Sequence, residues 1–141
     1  MAKVLSVDYG NKRVGLAVTD DLQLIATRLT CVHSKDVIQY ISDYINENEV
    51  ETIVVGKPIN LKGQATNSSI SVQNFLRHLR KKFKDIKILE IDERFTSKIA
   101  SNVIAQSGMS RKKRQNKEIV DEVSAVILLQ DYLKMKGNNH I

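Results

Sequence analysis

The chain has 141 residues, enough for one domain around a single core and too few for two cores of ordinary size. With 42% apolar residues, 1 proline and 1 cysteine, it is neither a disordered chain, a collagen nor a disulfide-stapled mini-protein. The net charge is +6, and no apolar run approaches the roughly 18 residues of a membrane-spanning helix. Lys3–Asp8 (KVLSVD) reads as a strand stopped by Tyr9, Gly10 and Asn11, and Val14–Thr19 (VGLAVT) resumes it as a hairpin partner. Leu24–Val32 alternates and adds a third strand. From Lys35 to Asn48 the positions Val37, Ile38, Ile41, Tyr44 and Ile45 recur at helical spacing. Thr52–Gly56 (TIVVG) is a continuous apolar strand of the kind buried on both faces in a parallel sheet. A loop over Lys57–Thr66 leads to a helix over Asn67–Phe83, and Ile86–Ile91 is a fifth strand. Phe95–Gln106 is a short helix, 109–117 a basic loop, and Lys117–Lys136 the last helix. Three strands in a meander followed by strand–helix alternation predict an α/β mixed sheet covered by helices, in a single domain over 1–141.

Half of the 22 Lys and Arg residues fall in two short stretches. Arg77, Arg80, Lys81, Lys82, Lys84 and Lys87 meet one acid, Asp85, and Arg111, Lys112, Lys113, Arg114 and Lys117 meet none. The rest of the chain is mildly acidic, with 11 cations against 15 acids. Two dense basic segments on an acidic body fit a polyanionic partner through counterion release; solvated surfaces are the plain alternative. Cys31 has no partner for an internal disulfide, and Met1–Asp8 reaches an acid before a signal sequence could form, so a reducing cytoplasm is expected. Cys31 itself reads as a core filler, and His33, His78 and His140 share no metal-ligand spacing.

Three acids occupy places that are costly for a purely structural acid. Asp8 ends a strand before Gly10, at the carboxyl edge where open α/β sheets build their sites, although Asp is also a favoured turn former. Glu93 follows the fifth strand within IDERFTS; a first-turn acid beside a helix dipole is its other reading. Asp121 shares a helical stripe with Ala125, Leu128 and Tyr132, so its carboxylate faces the core and requires a metal or a cation, unless the dipole at the helix start suffices. Three carboxylates without a His or Cys cluster fit a hard cation, Mg²⁺ or Mn²⁺. Glu118 and Glu122 lie beside Asp121 and either join it or stay solvated. In DYGNKRVG (Asp8–Gly15) the glycines allow a ligand close to the backbone, and Lys12 and Arg13 offer charge to a phosphate.

The segments SVDYGNKRVGLAVTD, IVVGKPINLKG, IDERFTS and KEIVDEVSAVILLQDYL, in that order, resemble the YqgF/RuvX family. This family is similar to Holliday-junction resolvases and is assigned to pre-16S rRNA processing. The resemblance covers nearly the whole chain and implies a ribonuclease H-like fold, a five-stranded mixed sheet with three antiparallel strands first. It implies that Asp8, Glu93 and Asp121 are the catalytic and metal-holding acids, and Gly56, Lys57 and Pro58 match the family's glycine–x–proline loop. A fourth carboxylate on the last helix is frequent in resolvases; here Ser124 stands three residues after Asp121. The implied chemistry is phosphodiester hydrolysis by two metals about 3.5–4 Å apart, with Asp8 bridging and the other two acids flanking. Lys12, Arg13 and Arg94 then face the phosphate, unless Arg94 pairs with Glu93 or Asp92, and Arg111, Lys112, Lys113 and Arg114 track the backbone. The expected partner is nucleic acid, RNA in preference to structured DNA, with no membrane, bound by a monomer or a homodimer. A resolvase-like DNA endonuclease and a non-catalytic nucleic-acid-binding factor are the rival readings. A kinase-type ATPase is disfavoured because 141 residues supply one half of its two-domain cleft.

Overall fold

A computed structural model describes residues 2–10, 12–57, 67–92 and 117–138. Its strands are β1 (Lys3–Tyr9), β2 (Arg13–Thr19), β3 (Ala26–His33), β4 (Val50–Lys57) and β5 (Lys87–Asp92). Its helices are α1 (Val37–Glu47), α2 (Asn67–Lys82) and α3 (Lys117–Asn138). The sheet order is β3-β2-β1-β4-β5. β1 pairs antiparallel with β2, and β2 with β3, while β1 and β4, then β4 and β5, are parallel. The expected meander and crossover are thus present, with boundaries shifted by one or two residues. The helix expected at Phe95–Gln106 lies outside the described residues.

Alternation along β1 sorts the two layers. Leu5 and Val7 join Val14, Leu16, Ile53 and Val55 under Val37 and Ile41 of α1 and Val72, Leu76 and Leu79 of α2. Val4 points the other way and meets Ala17, Val54, Ala125, Leu128, Leu129 and Tyr132 beneath α3. The continuous apolar run of β4 follows from helices on both faces and parallel neighbours on both sides. Ser6 shares the α3 face, and its Oγ donates to the Ala125 carbonyl at 2.6 Å. That bond satisfies a hydroxyl buried beneath the helix and fixes the height of α3 on the sheet.

Gly15 sets how closely α3 approaches. A Cβ built there meets the Asp121 carbonyl in hard overlap and the Glu122 backbone nitrogen at 2.9 Å. Any other residue forces the helix off β2. The glycines of the 8–15 segment therefore admit the chain's own backbone: Gly15 lies within β2 under α3, and a Cβ on Gly10 meets the Arg13 carbonyl at 2.6 Å. At Gly15 the expected approach of a ligand is corrected accordingly, because the backbone of α3 fills that space.

The other end of α3 is tied to the amino edge of the sheet. Lys136 Nζ donates to Gln23 Oε1 at 2.6 Å and lies 3.5 Å from Glu51, while Gln23 Nε2 donates to the Ala2 carbonyl. Gln23 adopts a left-handed φ of 58°, in a turn where Asp20 Oδ1 accepts the Leu24 and Ile25 N–H groups. Those two N–H groups hold the Asp20 carboxyl below its ordinary pKa.

Gly15→Ala should cost about 1–3 kcal/mol through overpacking at the β2–α3 contact. Urea denaturation measures it; an unchanged midpoint would mean that α3 yields freely at Asp121.

Candidate active site at the carboxyl edge of β1

β1 is the central strand, and its chain neighbour β2 and crossover partner β4 lie on opposite sides of it. Its carboxyl end is therefore the point where strand connections diverge, the place where open α/β sheets hold ligands. Asp8 lies there. The alternation that places Val4 and Ser6 beneath α3 carries Asp8 to the same face, half-buried, with Gly15 directly beside it in the ladder.

Asp121 arrives at the same height by the helix. From Ser6 to Asp8 the strand advances about 6–7 Å. From Ala125 back to Asp121, one helical turn, α3 retreats about 6 Å. Ser6 is bonded to Ala125, and Gly15, beside Asp8, touches Asp121, so the helix runs antiparallel to β1 and the two acids share one edge. The stripe expected for Asp121 is real: Ala125, Leu128 and Tyr132 are all buried against the sheet.

The cation that Asp121 requires is present. Arg13 Nε donates to Asp121 Oδ2 at 2.8 Å, with the guanidinium side chain 42% exposed and the carboxylate side chain 22%. Arg13, a candidate phosphate contact, is engaged with Asp121 here, because alternation along β2 turns it, like Gly15 and Ala17, toward α3. Glu122 leans the other way, toward Arg28 Nη1 of β3 at 3.7 Å. Ser124 is fully buried, and its Oγ has no hydrogen-bond partner among the described residues. Lys12 is exposed on the β1–β2 connection, and its carbonyl accepts the Ser34 N–H.

Glu93 and Arg94 lie outside the described residues, as do Arg111, Lys112, Lys113 and Arg114. β5 ends at Asp92, paired with Lys57 at the same sheet edge, one residue before Glu93. Among the described residues no three His, Cys, Asp or Glu side chains gather as a metal site. The donor set nevertheless suits a hard divalent cation: carboxylate oxygens on two elements, one already held beside a positive charge. Cys31 is half-buried beside Gly15 on β3, and His78 is exposed on α2. No helix among the described residues is long and apolar enough to cross a membrane.

A family model described as RuvX, Holliday junction resolvase, matches residues 2–135. A Flavobacterium johnsoniae protein named "Putative pre-16S rRNA nuclease" is 44% identical over 136 residues, 96% of this chain and 99% of its own. An Amoebophilus asiaticus protein of the same name is 39% identical, with 100% of both chains covered. The structure of T. thermophilus RuvC in complex with Holliday junction substrate matches 96% of each chain with a TM-score of 0.55 at 13% identity. That likeness is one of fold, and the fold is ribonuclease H-like, with the five-stranded mixed sheet found here. The match of the family model over residues 2–135 and the kinship over nearly the full chain, on this strand order, make the chain a member of the RuvX family.

Proposed function

We propose that this protein is a divalent-metal-dependent nuclease that hydrolyses phosphodiester bonds, and that its substrate is the 5′ region of pre-16S rRNA during ribosome biogenesis in the cytoplasm. The observation that carries the reading is the delivery of Asp8 and Asp121 to one face and one edge of the sheet by two separate elements in a RuvX chain. Relatives named for pre-16S rRNA support RNA as the substrate. The family description supports a second reading, a resolvase acting on DNA junctions, and the choice between them is one of substrate alone.

Asp8, Asp121 and Glu93 hold the cation, Mg²⁺ or Mn²⁺. When bound, it supplies Lewis-acid stabilisation of the phosphate and lowers the pKa of water at the site. The protein's own part is positioning. Ser6 and Gly15 set the height and closeness of α3, and with them the placement of Asp121 relative to Asp8. Arg13 holds Asp121 in place through their ion pair, and because a half-exposed pair of this kind separates at little cost, its guanidinium would be available to a phosphate oxygen if Asp121 held a cation. Lys12, Arg94, Arg111, Lys112, Lys113 and Arg114 bind flanking phosphates.

Asp8→Asn should abolish cleavage of labelled precursor RNA in Mn²⁺ while leaving its binding within about twofold. Mn²⁺ should raise the melting temperature of the native protein by mass action, and the variant should lose that response. A variant that still cuts would remove Asp8 from the chemistry. A native protein that binds RNA, yet neither cuts it nor responds to metal, would be a binding factor.

Arg13→Gln separates the two roles given to that side chain. Loss of the competing cation should tighten Mn²⁺ binding, measured by titration calorimetry, while cleavage slows. The metal-free variant should lose no more than about 1 kcal/mol of stability, the worth of an exposed ion pair. Weaker Mn²⁺ binding would show that Arg13 serves only to position Asp121.

A further inference from the structure

Asp8 and Tyr9 are consecutive residues of β1 and point to opposite faces of the sheet. Beyond Asp8 lies α3. Tyr9, at the same edge, stacks on Phe75 of α2 with ring centroids 4.4 Å apart and planes at 24°. These rings line a cavity of about 320 Å³ with Ser34, Lys35, Ile38, Ser71, Asn74 and His78. A second cavity of about 300 Å³, lined by Asn74, Arg77, His78 and Lys81, continues it along α2. Among the described residues that line the two, none is a carboxylate.

Asn74, Arg77, His78 and Lys81 of α2 are spaced i, i+3, i+4 and i+7 and are all exposed, so they form one stripe. α2 carries four Lys or Arg and no acid in 16 residues. Its last-turn cations Arg80, Lys81 and Lys82 suit the helix dipole, but Arg77 and His78 lie before that turn. Glu90 of β5 is bonded to Gln73 rather than to the stripe, and Asp85, in the turn after α2, forms no ion pair with it among the described residues. Lys35 adds a cation from the turn before α1, and the Ser34 N–H to the Lys12 carbonyl ties that turn to the connection beside Asp8. An aromatic wall opening onto Arg77, Lys81 and Lys35, none of which has an ion-pair partner among the described residues, is the chemistry of single-stranded polynucleotide binding, in which bases stack and phosphates follow the charge.

We propose that this groove binds the unpaired flank of the substrate, with one base seated against Tyr9 and the adjoining phosphates running along Arg77, His78 and Lys81. It rests on the nuclease reading for its purpose, a strand that crosses the sheet edge from Asp8 to Tyr9, but not for its detection.

The test is fluorescence anisotropy of a labelled single-stranded RNA oligonucleotide with metal-free protein across a salt series. The double variant Arg77→Ala/Lys81→Ala should weaken binding at least tenfold at low salt and flatten the log–log salt slope by about 1.4, two single-strand contacts of about 0.7 each. Tyr9→Leu should weaken it roughly 5- to 100-fold with the slope unchanged, while Tyr9→Phe retains affinity. Lys134→Ala, an exposed cation on α3, should change nothing. Native affinity and slope in the double variant would overturn the track. Equal losses for duplex and single-stranded RNA in Tyr9→Leu would overturn the base seat. If the double variant weakens as expected while the native protein cuts no RNA in Mn²⁺, the nuclease reading falls and the groove stands. If cleavage proceeds and the double variant binds normally, the reverse holds.

Discussion

Because residue 15 has no Cβ, the backbone of α3 lies directly on β2 at Asp121, and the placement of both edge acids descends from that contact. A helix on a sheet ordinarily stands off by the depth of interposed side chains, and here that spacing closes at one point. The Ser6–Ala125 hydrogen bond one turn away stops the helix from sliding, and the Lys136–Gln23 bond holds its far end. Three fixings along one helix, at the carboxyl edge, the middle and the amino edge, leave Asp121 little freedom relative to Asp8. A site that must hold a small, hard cation requires that rigidity, since oxygen donors placed loosely do not select for geometry.

The same closeness creates an electrostatic cost that the fold meets with Arg13. A carboxylate left unpaired beside a core is expensive. Arg13 lies on the same strand and the same face as Gly15, two residues earlier, so the element that admits the helix backbone also delivers the compensating charge. Glu122, the next residue on α3, meets Arg28 of β3 instead. Adjacent acids on one helix are thus drawn to the cations of two different strands.

Much of this was legible beforehand where periodicity is strong. The alternation of β1, the unbroken apolar run of β4 and the Asp121–Ala125–Leu128–Tyr132 stripe each express burial, and burial leaves a pattern in one dimension. The expectation that Asp121 needs a cation was legible for the same reason. The identity of that cation was not, because Arg13 is 108 residues away and its choice between phosphate and carboxylate depends on where α3 lies. Gly15 was misread as a place for a ligand: a missing Cβ announces a close approach but not what approaches. Tyr9 reads in the sequence as one of the residues that stop the strand, whereas it is the last residue of β1 and its stacking on Phe75 sets it in a cavity wall.

Strand geometry explains why the edge of β1 can serve both faces at once. Successive side chains alternate, so Asp8 on the α3 face and Tyr9 on the α1–α2 face emerge within one residue of each other, about 3.3 Å along the strand. A polynucleotide bent over that edge could meet a carboxylate on one side and an aromatic ring on the other without spanning any other element. The arrangement is also unforgiving. A one-residue slip of β1 against β2 and β4 would exchange Asp8 with Tyr9 and expel Leu5 and Val7 from the larger core. The apolar positions of β1 therefore hold the chemical ones in register, and the burial that makes the strand stable is what presents Asp8 to α3.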